Sequence, residues 1–87
     1  MRHLTQEEID KYLLETRNAH ALILPKLRAL ANSGDGAIIH DANSWIGRIT
    51  GWESLYNYYS DLPHLVTWRE YIRSAELWMI EKAKETR

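Results

Sequence analysis

The sequence predicts an all-α fold, a small three-helix bundle occupying residues 1–87 as one domain. Three observations carry this expectation. Apolar residues recur at helical steps through each long segment, no segment alternates with a strand period, and clusters of Gly, Asn, Ser and Asp divide the chain at two places. A chain of 87 residues buries only about 60–65% of the surface its unfolded form exposes, so oligomerisation is the expected means of completing the core.

The first helix opens on Leu4-Thr5-Gln6-Glu7-Glu8, a capping box with acidic residues lining the first turn. Ile9, Tyr12, Leu13, Thr16, Ala19, His20, Ile23 and Leu24 then follow at helical spacing. Pro25 removes a backbone donor and collides with the Ala21 carbonyl, which predicts a kink or a restart. The pattern resumes at Leu27, Leu30 and Ala31, and Asn32-Ser33-Gly34-Asp35-Gly36 ends it.

The second segment runs from about Ala37 to Tyr59. Ile38, Ala42, Trp45, Ile49, Trp52, Tyr56 and Tyr59 succeed one another at steps of 4, 3, 4, 3, 4, 3, a heptad seam. On the opposite side stand Ser44, Gly47, Gly51, Ser54 and Tyr58, a groove of small residues ending in one ring. Each glycine costs a helix interior about 1 kcal/mol, and Thr50-Gly51-Trp52-Glu53 has the form of a capping box. A break near Gly47–Thr50 would make four helices of the three. The seam keeps its phase across both glycines, which favours one continuous helix.

Ser60-Asp61-Leu62-Pro63 opens the last helix, with Asp61 or Ser60 as cap. Its main apolar face is Leu65, Trp68, Ile72, Ala75 and Met79, flanked by Tyr71 and Trp78, while Val66, Leu77 and Ile80 point elsewhere. Lys82, Lys84 and Arg87 suit the negative end of the helix.

Composition narrows the function classes. There is no cysteine, so disulfides and thiolate metal sites are excluded, in keeping with a reducing compartment. The N-terminal stretch is acidic where a signal peptide is apolar, and the longest apolar run, Ala21 to Leu24, is far short of the ~20 residues of a membrane span. A cytoplasmic protein with no membrane partner is expected. Net charge is −1 with both signs scattered, which argues against a nucleic-acid partner. Leu4 to Ile9 resembles the first-helix opening of helix-turn-helix DNA-binding domains. That resemblance stops at Asp10, where those domains want a small residue, and at Leu14, where they want glycine; Arg17 to Leu24 is mostly apolar and runs into Pro25. Every aromatic ring outside the four His is one of four Trp or five Tyr, the types that combine an apolar body with a polar tip.

Chemistry-bearing residues are sparse. His3, His20, His40 and His64 form no H-x-x-x-H or H-E-x-x-H. Asp61-x-x-His64 has ligand-like spacing, but capping accounts for Asp61, so no metal and no cofactor is expected. His20 sits on the apolar face of the first helix, as a core histidine bonded to a hydroxyl or carbonyl or, alternatively, as a general base. No Gly-x-Ser-x-Gly elbow accompanies it. Gly34-Asp35-Gly36 precedes a helix N-terminus, yet Asp35 and Asp41 repel an anion there. Arg48, Arg69 and Arg73 stand near Trp45, Trp52 and Trp68, where guanidiniums and indoles could hold a nucleotide; the plainer account makes Arg69 and Arg73 a solvated i,i+4 face.

These readings converge on a non-catalytic helical interaction module. The expectation is a self-associating regulatory or inhibitor-type accessory protein, a homo-oligomer that binds another macromolecule. Its interface is expected at Ser44, Gly47, Gly51, Ser54 and Tyr58, with Leu77 and Ile80 on a second strip. The alternative is a small-ligand or nucleotide-binding bundle using Trp45, Arg48, Trp52 and Arg73. A helical enzyme with His20 as base ranks third.

Overall fold

The computed structural model describes residues 4–85, so His3 and Arg87 lie outside the described residues. Three helices follow one another: α1 (Gln6–Ser33), α2 (Gly36–Tyr59) and α3 (Leu62–Glu85). The described residues contain no strand. The connections are Gly34-Asp35 and Ser60-Asp61, short enough to make sequential helices antiparallel neighbours. The topology is therefore up-down-up, with α1 and α3 parallel. α2 packs against both, and α1 touches α3 least. No helix in the described chain is long and apolar enough to cross a membrane.

Local chemistry explains each boundary. The Thr5 hydroxyl accepts from the Glu8 amide and the Glu8 carboxylate accepts from the Thr5 amide, both at 3.1 Å, completing the capping box. α1 passes through Pro25 as one 28-residue helix rather than restarting there. Ala21 and Pro25 are both exposed, so this turn of the helix, with the carbonyl that Pro25 cannot serve, faces solvent. At its C-terminal end the Gly34 amide donates to the Leu30 carbonyl at 2.9 Å. Glycine is required at that position by space. A Cβ on Gly34 would stand 2.8 Å from the Leu30 carbonyl oxygen and 2.6 Å from Ile38 Cγ2.

Asp35 caps α2, its carboxylate accepting from the Ile38 amide at 3.0 Å. α2 then continues unbroken through both glycines for 24 residues. Thr50 does not cap a new helix; its hydroxyl donates back to the Ile46 carbonyl at 2.7 Å, so the four-helix alternative is not adopted. Ser60 ends α2 in the left-handed region at φ 54°, with its amide donating to the Tyr56 carbonyl. Asp61, rather than Ser60, opens α3, accepting from the His64 amide at 2.9 Å and from the His64 ring. These two bonds hold its carboxyl below the usual carboxylate range, the backbone one contributing most.

The core is the convergence of three stripes. Ile23 and Leu27 of α1, Ala42 and Ile49 of α2, and Leu65, Trp68, Ile72 and Ala75 of α3 are buried, with Trp45, Trp52, Tyr56 and Met79 packed partly against them. Thr16 and His20 are the polar residues enclosed among these apolar ones. The Thr16 hydroxyl donates to the Tyr12 carbonyl of its own helix at 2.8 Å, which leaves it no proton to offer elsewhere.

Candidate functional site

A polar contact joins α1 to α3 in the interior. The Trp68 indole N–H donates to His20 Nδ1 at 3.1 Å, and the two rings meet edge-on at 5.5 Å. Indole only donates, so Nδ1 is the bare nitrogen and the imidazole proton sits on Nε2. Nε2 faces the carboxylate of Glu53 on α2 at 3.8 Å. Each helix thus contributes one member, and Tyr56 stacks on Trp68 at 5.8 Å. The sequence placed His20 in the core; its partner is an indole rather than a hydroxyl or carbonyl. Glu53 gave no sequence signal beyond its place in an apparent capping box.

Two surfaces flank this interior. The first is the groove between α1 and α3, where the two parallel helices part. Its volume is about 450 Å³, and Ala19, Leu22, Ile23, Met79, Ile80 and Ala83 supply its apolar walls. Leu22 is 68% exposed and Ile80 53%, large values for side chains that adjoin a core. Lys26, Arg69 and Glu76 complete the lining. Arg69 is half-buried rather than part of a solvated face, because α1 lies across its stem. Its Nη1 is enclosed with no hydrogen-bond acceptor; the nearest carboxylate, Glu76 Oε1, is 3.8 Å away. Burial pushes the Tyr12 phenol above its ordinary value, and the charge of Arg69 opposes that push.

The second surface is an aromatic seam between α2 and α3. Tyr71 stacks on Trp52 at 5.8 Å, Trp52 lies 5.8 Å from the His64 ring, and His64 stacks on Tyr59 at 4.5 Å, with Tyr58 edge-on to Tyr59 at 4.9 Å. Further along, the Arg48 guanidinium sits 5.6 Å from the Trp45 ring. Trp45, Arg48 and Trp78 share a shallow cavity of about 320 Å³ with His40, Asp41 and Ser44.

Of the four expected ligand residues the structure therefore brings Trp45 and Arg48 together, whereas Trp52 belongs to the ring stack with Tyr71 and His64. Arg73 is apart from them, on the α1 side of α3, where its charge acts on Tyr12. The expected interface residues divide likewise. Gly47, Gly51 and Ser54 are exposed, Ser44 is half-buried, and space around a Cβ on either glycine is open for 4 Å. Tyr58 is 82% exposed, Leu77 is exposed on α3, and Ile80 lines the α1/α3 groove. Among the described residues no three His, Asp or Glu side chains gather as metal ligands would. Arg69 enters the sequence reading only beside the tryptophans or on a solvated face, and Leu22 and Lys26 are groove residues that it does not single out. Their signal was present in Ala19, Leu22 and Lys26, a line parallel to the core stripe and one position round the helix.

No protein-family model, curated protein or solved structure matches this chain. What the site defines is a class: an all-α, three-helix bundle with an open apolar groove on one side.

Proposed function

We propose that this chain is a non-catalytic helical interaction module that docks another polypeptide in its α1/α3 groove. The observation that carries it is the groove itself, with Leu22 and Ile80 exposed on its two walls. Apolar strips of this kind on small domains mark association surfaces. A helix laid between α1 and α3 completes a four-helix arrangement, burying side chains that three helices leave wet. The Gly47–Gly51 face is flatter, and its large apolar groups are confined to Tyr58 and Leu55 at one end, so it offers less to bury. An accessory or inhibitor-type role follows from binding without chemistry.

The test compares wild type with Leu22→Asp. Because Leu22 stands mostly in water, the substitution should leave the melting temperature nearly unchanged, as surface changes within about 0.5 kcal/mol do. Whatever association the wild type makes, with itself or with a protein captured from host extract, should be lost. Association that survives in a folded Leu22→Asp protein would refute the proposal.

A second reading has its own support. Trp45 and Arg48, which share a cavity with Trp78, offer ring planes and a cation suited to a flat anionic ligand. Quenching of tryptophan fluorescence across a nucleotide screen would favour it, and a flat screen would retire it.

A further inference from the structure

We propose that His20 is a proton-operated link, which holds α1 to α3 when neutral and passes to α2 when protonated. The proposal concerns the interior and stands apart from what the α1/α3 groove docks.

The two ring nitrogens have unequal duties. Because the Trp68 indole can only donate, Nδ1 at 3.1 Å is the bare nitrogen. Nδ1 is also the nitrogen at which a neutral imidazole of this tautomer takes up a proton. Protonation and the Trp68 bond therefore compete for one lone pair. A hydroxyl partner could turn and accept from the new N–H; an indole has no in-plane lone pair to offer. With His20 protonated, two N–H groups confront each other, and the contact must open. Imidazole is the side chain whose charge changes near neutral pH.

The opposite edge of the ring has a place for the charge. Nε2 keeps its proton in both states and stands 3.8 Å from Glu53 Oε2 on α2. That separation is too long for a hydrogen bond, but it is an ion pair once the ring is cationic. The His20 side chain is 10% exposed, so solvent screens this attraction little at its end. On the remaining sides, α1 carries Thr16 one turn earlier, its hydroxyl given to the Tyr12 carbonyl. α3 presents Trp68, with Arg69 next in the chain; the charge of Arg69 acts on Tyr12, and its Nη1 is 3.8 Å from Glu76. Acid thus exchanges an α1–α3 bond for an α1–α2 ion pair. The Trp68 indole N–H, on a fully enclosed ring, loses its acceptor. α1 and α3 are also the pair in least contact, so the exchange loosens the least fastened side of the bundle.

Nuclear magnetic resonance reads both ends of the bond in the intact chain. The Trp68 indole N–H and the His20 ring nitrogens are followed from about pH 8 to about pH 5, with circular dichroism on the same samples. At the upper end the His20 proton is expected on Nε2. On acidification the indole proton should leave its hydrogen-bonded position in step with protonation of Nδ1, at constant helicity. In His20→Gln the side-chain carbonyl accepts the indole proton at every pH, so that resonance should stay fixed. Glu53→Gln should need more acid for the same loss, by about 0.2–0.7 pH unit, the span of a partly exposed ion pair. The proposal is overturned by a neutral His20 with its proton on Nδ1, or by an indole resonance that stays put while His20 takes up its proton. A His20 still neutral at the acid end overturns it too, as does helicity lost in the same step. His20→Gln following the wild-type profile has the same consequence, and Glu53→Gln coinciding with wild type removes the transfer to α2. Should His20→Gln fail to fold, the wild-type spectra decide alone.

Discussion

Removing the His20–Trp68 hydrogen bond from either end tests how the interior is held. Trp68 is fully enclosed and His20 is 8% exposed, so neither group finds water when the other is lost. His20→Leu leaves the indole N–H without an acceptor, a loss of about 1–3 kcal/mol against which the added apolar volume returns part. Trp68→Phe leaves Nδ1 bare and also opens space where the larger ring stood, adding a cavity contribution. The double variant has neither donor nor acceptor. Its destabilisation should fall short of the summed singles by about 1–2 kcal/mol, within the range found for contacting pairs. In a domain of this size each 1 kcal/mol moves the melting temperature by about 4–8 °C, so the coupling is measurable. The assay is urea unfolding followed by circular dichroism, because tryptophan emission changes with the substitution itself. Single effects that add to within about 0.3–0.5 kcal/mol would refute the bond's energetic role.

Other perturbations follow from the same geometry. Leu27→Ala removes a fully buried side chain and should cost about 2–5 kcal/mol, most of what a small single core supplies, so thermal melting should be lost or shifted by tens of degrees. The glycines should behave oppositely: Gly34→Ala lowers the melting temperature because the Leu30 carbonyl blocks a Cβ, whereas Gly47→Ala and Gly51→Ala, with open space, each stabilise by about 0.4–1 kcal/mol. A reversed order in differential scanning calorimetry would count against the packing described. Asp61 has a folded value held below its unfolded one, so its contribution is complete above the unfolded value and is lost as pH falls through the folded one. Asp61→Asn keeps a capping side chain and removes the titration, so the acid decline of the urea midpoint should be shallower than in wild type; coincident profiles would reject this.

What was legible in the sequence is what local pattern determines. The capping box at Thr5, the caps at Asp35 and Asp61, and the core stripe through Leu65, Trp68, Ile72 and Ala75 all follow from spacing and side-chain type. Pro25 does not restart the helix, because its cost depends on whether the orphaned carbonyl meets solvent or protein, and only the packed helix decides that. Thr50 fitted a capping box in sequence and bonded backwards instead, since the heptad seam on α2 outweighed two exposed glycines. The expected ligand residues are spread over the molecule for a geometric reason. Arg73 lies near tryptophans in the sequence but on the side of α3 that faces α1. Glu53 and Trp68 meet His20 across three helices, a conjunction no single-segment period encodes.

That conjunction also bears on the groove. α1 and α3 are the helix pair in least contact, and the His20–Trp68 bond ties them in the interior. Sliding α1 along α3 by a single turn would carry His20 about 5.4 Å past the indole and leave both polar atoms unpaired. Packing of Ile23, Leu27 and Ile72 opposes the same slide, and the hydrogen bond adds a directional requirement to it. The bond therefore helps to set the register of α1 on α3, and with it the placement of Leu22 opposite Ile80. His20→Leu combined with Trp68→Phe should keep the helices, since it leaves no unpaired group, but release that register. Helical circular dichroism should persist while the association measured by sedimentation weakens. An association unchanged in that double variant, at wild-type helicity, would show that the surface forms without the interior bond and would break the link between them.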